Sequence, residues 1–302
     1  MVEAQTVQTD TEYYDIVIVG GGMVGISLAL LLAHQQHSWK ILLLEAQAFQ
    51  AADKFEYRPS FDARSTAVSW SSRKIFEASQ LWDALQSHAS PIHHIHVSDR
   101  GHLGLTRIDA AEAGVDALGY VIENSWMGRV LMERLAASDV EVVAPARVAS
   151  MTPLKQGMSI ALDDSERNIH AALVVIADGA QSQTAQKMGI QSNTQPYGQQ
   201  GIIANIAVEK PHDGTAYERF TEQGPMAMLP LPDFEGSARC ALVWTKPNEV
   251  AEQLMAATDD AFLQLLQDSF GYRLGQLQKV GTRHSYPLAL TTASEQVRRN
   301  LV

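Results

Sequence analysis

Gly20, Gly22 and Gly25 form G-x-G-x-x-G directly after DIVIV at 15–19, a short β-branched run of the kind a strand buried on both faces requires. Residues 26–35 have helical composition, and KILLLE at 40–45 is a second apolar run that ends on an acid. That acid, Glu45, stands twenty residues beyond Gly25, the spacing at which a carboxylate meets a ribose hydroxyl in a dinucleotide site. Gly20 permits the turn, Gly22 lets the backbone approach a pyrophosphate, and Gly25 lets helix pack on strand. The phosphates would face the unpaired N–H groups at the helix N-terminus. Strand, glycines, helix, strand and acid together predict an adenine dinucleotide, without separating FAD from NAD.

LVVIA at 173–177 reads as another strand, followed by Asp178, Gly179 and Ser182. A carboxylate at the carboxyl end of a parallel strand points into the ligand crevice. Gly179 would allow close backbone approach, and Ser182 can cap the next helix. A D-G turn leading into a capped surface helix would leave the same residues. The segment resembles the middle fingerprint, an apolar strand ending in D-G-x-x-S, of the flavoprotein monooxygenases typified by para-hydroxybenzoate hydroxylase.

Further segments carry that resemblance. FDARSTA at 61–67 resembles the D-x-R-x-x-A segment of members that hydroxylate ubiquinone precursors, which implies that Arg64 lies near the flavin. GYVI at 119–122 and RVL at 129–131 resemble the family's G-Y-V strand and the following helix, where the residue at Arg129 contacts the cofactor. Read alone, each arginine would be a surface ion-pair partner. ERF at 218–220, GPMAMLP at 224–230 and YPL at 286–288 resemble the substrate-domain face. The likeness runs from 14 to 302 and is closest to the branch that hydroxylates 2-octaprenyl-6-methoxyphenol in ubiquinone biosynthesis.

The resemblance implies an α/β fold: a Rossmann-like FAD-binding domain with a parallel sheet over 1–185, discontinuous, with a sheet excursion within 55–105. A substrate-binding domain with a mostly antiparallel sheet would occupy 186–302. FAD would be held by Gly20, Gly22, Gly25, Glu45, Arg64, Arg129, Asp178 and Gly179, with NAD(P)H as co-substrate. O2 and a prenylated phenol would be the substrates, in or beside a complex of ubiquinone-biosynthesis proteins. No acid or base is assigned, because the cofactor carries the chemistry while the protein orients the ring and excludes water. The family's third fingerprint, G-D-A followed by a proline and G-Q-G-x-N, would begin after 297–302. A C-terminally truncated chain, with weakened flavin binding and loss of activity, is the expectation that follows. Two other functions share these residues: a non-catalytic assembly subunit, and another FAD or NAD oxidoreductase on the same scaffold.

The composition must support such a site. At 302 residues, 46% apolar and 19% charged, the chain can build the cores of two domains, and it is not disordered over most of its length. A net charge of −11 and a pI near 5.3 argue against a nucleic-acid partner and offer no general attraction to anionic lipids. The single Cys240 excludes an internal disulfide and a thiolate metal site, fits a reducing cytoplasm, and reads as a buried structural thiol in an apolar strand. Residues 16–33 lack any charge, yet three consecutive glycines and the flanking Asp15 and Lys40 argue against a transmembrane segment. A polyprenyl substrate would still draw the protein to the inner face of the membrane as a peripheral partner.

The acidic first thirteen residues are not a secretory signal. His93, His94, His96 and His102 lack the cysteine or paired carboxylates that would complete a metal shell, so no metal is expected. No G-x-S-x-G elbow supports a serine hydrolase. Runs at 202–208, 226–231 and 238–244 predict antiparallel strands, and 72–85 a helix. A longer helix is predicted at 249–270, with Val250, Leu254, Ala261, Leu265 and Phe270 facing inward.

Overall fold

The computed structural model describes residues 11–35, 38–49, 64–163 and 165–302. It contains two compact units, one built from Met1–Glu56, Leu131–Thr194 and Thr291–Val302, the other from Tyr57–Val130 and Gln195–Leu290.

In the first unit DIVIV lies in the strand Thr11–Val19, which is paired on both edges and therefore needs apolar residues on both faces. Ile41–Leu44 runs parallel on one side, with Glu141–Val143 beyond it, and Ser165–Ile176 runs parallel on the other. Val17, Ile18, Leu42 and Leu43 are fully buried as a result. Past Ser165–Ile176 the expected parallel sheet turns antiparallel, through Met158–Leu162 and Val148–Pro153. Strands this close in sequence can only pair as hairpins, because a parallel return needs a crossover of a dozen or so residues. Residues 300–302 continue the edge beyond the reach of Met158–Leu162. Leu301 bridges Val174 in parallel, and Val302 N–H donates to the Val174 carbonyl at 3.0 Å. The helix Met23–His34 buries Gly25, Ile26, Ala29 and Leu30, a stripe at helical spacing.

The second unit holds an eight-stranded sheet in the order Leu277–Val280, Ser192–Val208, Ser237–Pro247, Met226–Phe234, Thr215–Phe220, His94–Asp99 and Leu105–Asp109, with His284–Ala293 also on Ser192–Val208. The pairing of Thr215–Phe220 with His94–Asp99 is parallel and ties the stretch after Tyr57 into this unit. The pairings along the rest of that order are antiparallel, as the runs at 202–208, 226–231 and 238–244 predict for their own strands. Ser65–Ser69, Gly119–Glu123 and Ala89–Ile92 form a small antiparallel sheet.

The long helix predicted at 249–270 is two helices, Asn248–Ala256 and Asp259–Phe270. Thr258 starts the second one, its Oγ1 accepting from Ala261 N–H at 3.3 Å, with Asp259 and Asp260 suited to the positive end of the dipole. The break resets the inward face. Phe262 and Leu266 are buried, whereas Leu265 is 48% exposed and Ala261 faces solvent. The helix expected at 72–85 is likewise split, into Trp70–Ala78 and Trp82–Leu85, with Gln80 between them at φ +54°.

Candidate functional site

In the first unit Val19 and Ile176 are register partners, so the residues that follow them leave the sheet side by side. Gly20 has φ +115°, and a Cβ there would run into the Ala177 carbonyl. A Cβ on Gly25 would run into the carbonyl oxygen of Gly20. Both positions require glycine for the protein's own packing, the roles that the spacing predicts for turn and helix–strand contact. Gly22 and Gly179 differ. A Cβ at either would meet no protein atom within 4 Å, although Gly179 also has φ +95°.

Gly22 is the N-cap of Met23–His34, and no side chain caps that helix. Its first N–H groups are therefore available to an anion. Glu45 is held against the glycine loop, its Oε2 accepting from Gly21 N–H at 2.6 Å and its Oε1 from Gln47 N–H at 2.8 Å. Asp178 is exposed, with one long hydrogen bond, accepted by Oδ2 from Thr184 N–H at 3.4 Å. Ser182 caps Gln183–Lys187 through Ala185 N–H at 2.9 Å. Gly20, Gly22, Gly25, Glu45, Asp178 and Gly179 thus meet at one end of one sheet. An open cleft of about 340 Å³ elsewhere in the unit, lined by Gln191, Asn193, Thr292 and Ser294 among others, touches none of them.

Arg64 and Arg129 belong to the second unit. The Arg64 guanidinium lies 4.7 Å from the centre of the Tyr286 ring, within the YPL segment, and its carbonyl accepts from Asn124 N–H at 2.8 Å. Arg129 is on the exposed side of the helix Asn124–Ala136, 5.7 Å from the Trp126 ring. Phe61, Asp62 and Ala63 of the same motif lie outside the described residues.

The second unit also assembles a polar cluster that local patterns do not reveal. Arg239 presents Nη1 and Nη2 to the two oxygens of Glu123, each at 3.2 Å, and its Nε donates to the Pro232 carbonyl at 2.8 Å. Asn205 donates through Nδ2 to Glu123 at 3.3 Å, while its Oδ1 is buried with no protein donor. Asn205 and Arg239 interrupt otherwise apolar strands, and that interruption was the available signal.

The histidines separate. His93 contacts the Asp116 carbonyl, His94 pairs with Asp109 at 2.8 Å, and His102 with Asp99 at 2.9 Å. Among the described residues no three His, Cys, Asp or Glu side chains converge as metal ligands. Cys240 is fully buried, and burial pushes its thiol up to about 12. Among the described residues no helix is long and apolar enough to cross a membrane.

A family described as FAD binding domain matches residues 13–295. Ubiquinone hydroxylase UbiL of Rhodospirillum rubrum is 33% identical over 288 residues, covering 95% of this chain and 64% of its own length. The mitochondrial ubiquinone biosynthesis monooxygenase COQ6 of Caenorhabditis elegans is 29% identical over 279 residues, 89% of this chain and 60% of its own. The chain therefore spans under two thirds of the length of these two relatives. Among solved structures, p-nitrophenol 4-monooxygenase PnpA of Pseudomonas putida superposes with TM-score 0.72 at 16% identity, over 97% of this chain and 72% of its own. A PqsL variant of P. aeruginosa gives TM-score 0.76 at 20% identity, over 96% and 77%. Those likenesses establish the fold. The glycine loop, the uncapped helix and the match over 13–295 agree, and the chain belongs to the FAD binding domain family.

Proposed function

We propose that this protein holds FAD and hydroxylates a polyprenyl phenol in ubiquinone biosynthesis, using NAD(P)H and O2. The observation that carries the reading is the carboxyl end of the first unit's sheet, where Gly22 and Gly179 keep backbone open beside an uncapped helix N-terminus. The names of UbiL and COQ6 support the reaction class and the pathway. Bound FAD would supply hydride acceptance from NAD(P)H and activation of O2 toward an electron-rich ring.

In this reading the first unit is the FAD-binding part and the sheet of the second unit is the substrate-binding part. The N–H groups after Gly22 receive the pyrophosphate. Glu45 secures the loop through Gly21 and keeps lone pairs for a ribose hydroxyl. Asp178 offers an exposed carboxylate to the cofactor's hydroxyls, and Gly179 lets the backbone come close. Arg64 and Arg129 keep the cofactor role that the resemblance gives them. On the second unit the unpaired Asn205 Oδ1 suits a phenol hydroxyl, braced by Glu123 and Arg239. A polyprenyl chain would bring the protein to the cytoplasmic face of the membrane, among other ubiquinone-biosynthesis proteins.

The test is the visible spectrum of the purified protein after incubation with FAD and desalting. NADPH consumption is then followed with a polyprenyl phenol, with mass spectrometry of the product. Retained flavin and a product one oxygen atom heavier are expected. A colourless protein overturns the cofactor assignment. Flavin reduced by the phenol itself, without NADPH, would instead mark a dehydrogenase.

A further inference from the structure

The helix-covered face of the second unit's sheet carries positive charge that the hydroxylase reading does not use. Register aligns Arg107, His96 and Tyr217 in one cross-strand row, and Leu105, Ser98 and Arg219 in the next. His96 lies 5.6 Å from the Tyr217 ring, and Tyr217 meets Phe270 edge-on at 5.7 Å. Phe270 ends its helix, and Arg273 follows, with Nη1 donating to the Phe270 carbonyl at 3.2 Å. Arg100 joins from the end of His94–Asp99, its N–H donating to the Phe220 carbonyl at 3.0 Å. Lys246, 5% exposed, holds Gln223 Oε1 at 2.7 Å and feels the charge of Arg100.

Little offsets this charge among the described residues. Asp99 is the carboxylate that acts on Arg219, and it is itself bonded to His102 at 2.9 Å. Among the described residues no carboxylate forms an ion pair with Arg100, Arg107, Arg219 or Arg273. Burial, then Arg273 and Arg100, holds the Arg219 guanidinium below the usual arginine range. Burial, then Arg273, with Arg107 and Arg219, does the same to His96. Two polar atoms remain over. Arg219 Nε is buried with no protein acceptor, and His96 Nδ1 is buried with no partner outside its own residue. Folded chains rarely strand buried donors, and a protein of net charge −11 has acids to spare for neutralising four arginines.

We infer that Arg219, His96, Arg273 and Arg100 form a binding site for a phosphate-class oxyanion, with the Arg219 guanidinium as the fork that engages two of its oxygens. Arg107 stands at its outer edge. The same oxyanion is presented by a soluble phosphate compound and by a phospholipid headgroup. Exposed Leu103, Leu105 and Tyr272 neighbour the cluster in sequence and would meet acyl chains in the second case.

The site is tested by thermal unfolding of the full chain in increasing inorganic phosphate, against chloride at equal ionic strength. Wild type should show a saturable rise in Tm. Half-saturation should be about tenfold weaker or worse in Arg219→Gln and Arg273→Gln, and unchanged in Arg299→Gln. Flotation with phosphatidylglycerol and phosphatidylcholine vesicles separates the sources. Phosphatidylglycerol-selective binding that phosphate competes and Arg219→Gln abolishes identifies a headgroup. A phosphate response without flotation identifies a soluble compound. Phosphate no more stabilising than chloride, or a response equal in wild type and both variants, overturns the inference. If Arg219→Gln does not fold, the exposed Arg273→Gln decides.

Discussion

The two ends of the parallel sheet in the first unit are built on opposite terms. At the amino end Arg167, Glu12, Glu141 and Lys40 all find partners inside the chain. Arg167 donates through Nε to Glu12 at 2.8 Å and through Nη2 to Glu12, to Glu141 at 2.8 Å and to the Tyr14 hydroxyl at 2.9 Å. The single phenol proton of Tyr14 lies between Glu141, at 2.7 Å, and Glu12, at 3.0 Å, and Lys40 sits 4.2 Å over the ring. This network pins the starts of three strands. At the carboxyl end a helix goes uncapped, Asp178 is exposed, and two glycines face open space. One sheet keeps its cross-links at one end and its capacity for a ligand at the other.

The contrast can be broken most severely within the glycine loop. Gly25→Val places atoms on the Gly20 carbonyl and should cost on the order of 3–5 kcal/mol, read as a fall in urea midpoint or loss of soluble protein.

Arg167→Met comes next. The paired side chains are 25–41% exposed, so the loss should be about 1–2 kcal/mol, below that of a fully buried pair. Its pH dependence has a definite sign. Arg167 chiefly holds Glu12 below the usual carboxylate range. Burial opposes the same shift at Glu141, but hydrogen bonds from Tyr14 and Arg167 outweigh it. The linked stability is complete above the ordinary value of 4.5 and drains away as pH falls through the depressed folded values. Urea midpoints between neutrality and pH 3 should drop less steeply in Arg167→Met than in wild type. Equal slopes would exclude the network as the source.

Gly22→Ser and Asp178→Asn should move stability by no more than about 0.5 kcal/mol, since serine can cap and Asp178 holds one long bond. Both should weaken FAD binding about tenfold or more, measured by flavin fluorescence quenching. A matched loss of stability would mean the open end is structural after all. Smallest of all, Cys240 should resist a thiol reagent in the native protein and react only once unfolded, because burial disfavours its thiolate.

How much of this could be read beforehand depends on distance along the chain. The glycine loop, Glu45 and the D-G-x-x-S turn were legible because each is a local pattern whose geometry is fixed within a few residues. The strands at 202–208 and 238–244 were legible as apolar runs bounded by Pro, Gly and Asp turns. The break before Thr258 was written as a Thr-Asp-Asp helix start, yet the apolar run on both sides masked it, and the inward face was mistaken at Ala261 and Leu265. The Arg167 network joins residues up to 155 positions apart, and the Glu123–Arg239 pair spans 116. Pattern says nothing about such partners, because register between distant strands selects them.

The same long-range pairing governs how the protein can be made. Thr11–Val19 finds Ile41–Leu44 early, but its other edge waits for Ser165–Ile176, as the Thr11–Asn168 side-chain bond across 157 positions shows. At roughly 5–20 residues per second on the ribosome, that delay is about 8–30 seconds. Through it, an apolar strand with an unpaired edge sits outside the exit tunnel, a ready target for mispairing with a neighbouring nascent copy. Arg167 emerges within the very segment that relieves the exposure, so the latch and the missing strand arrive together.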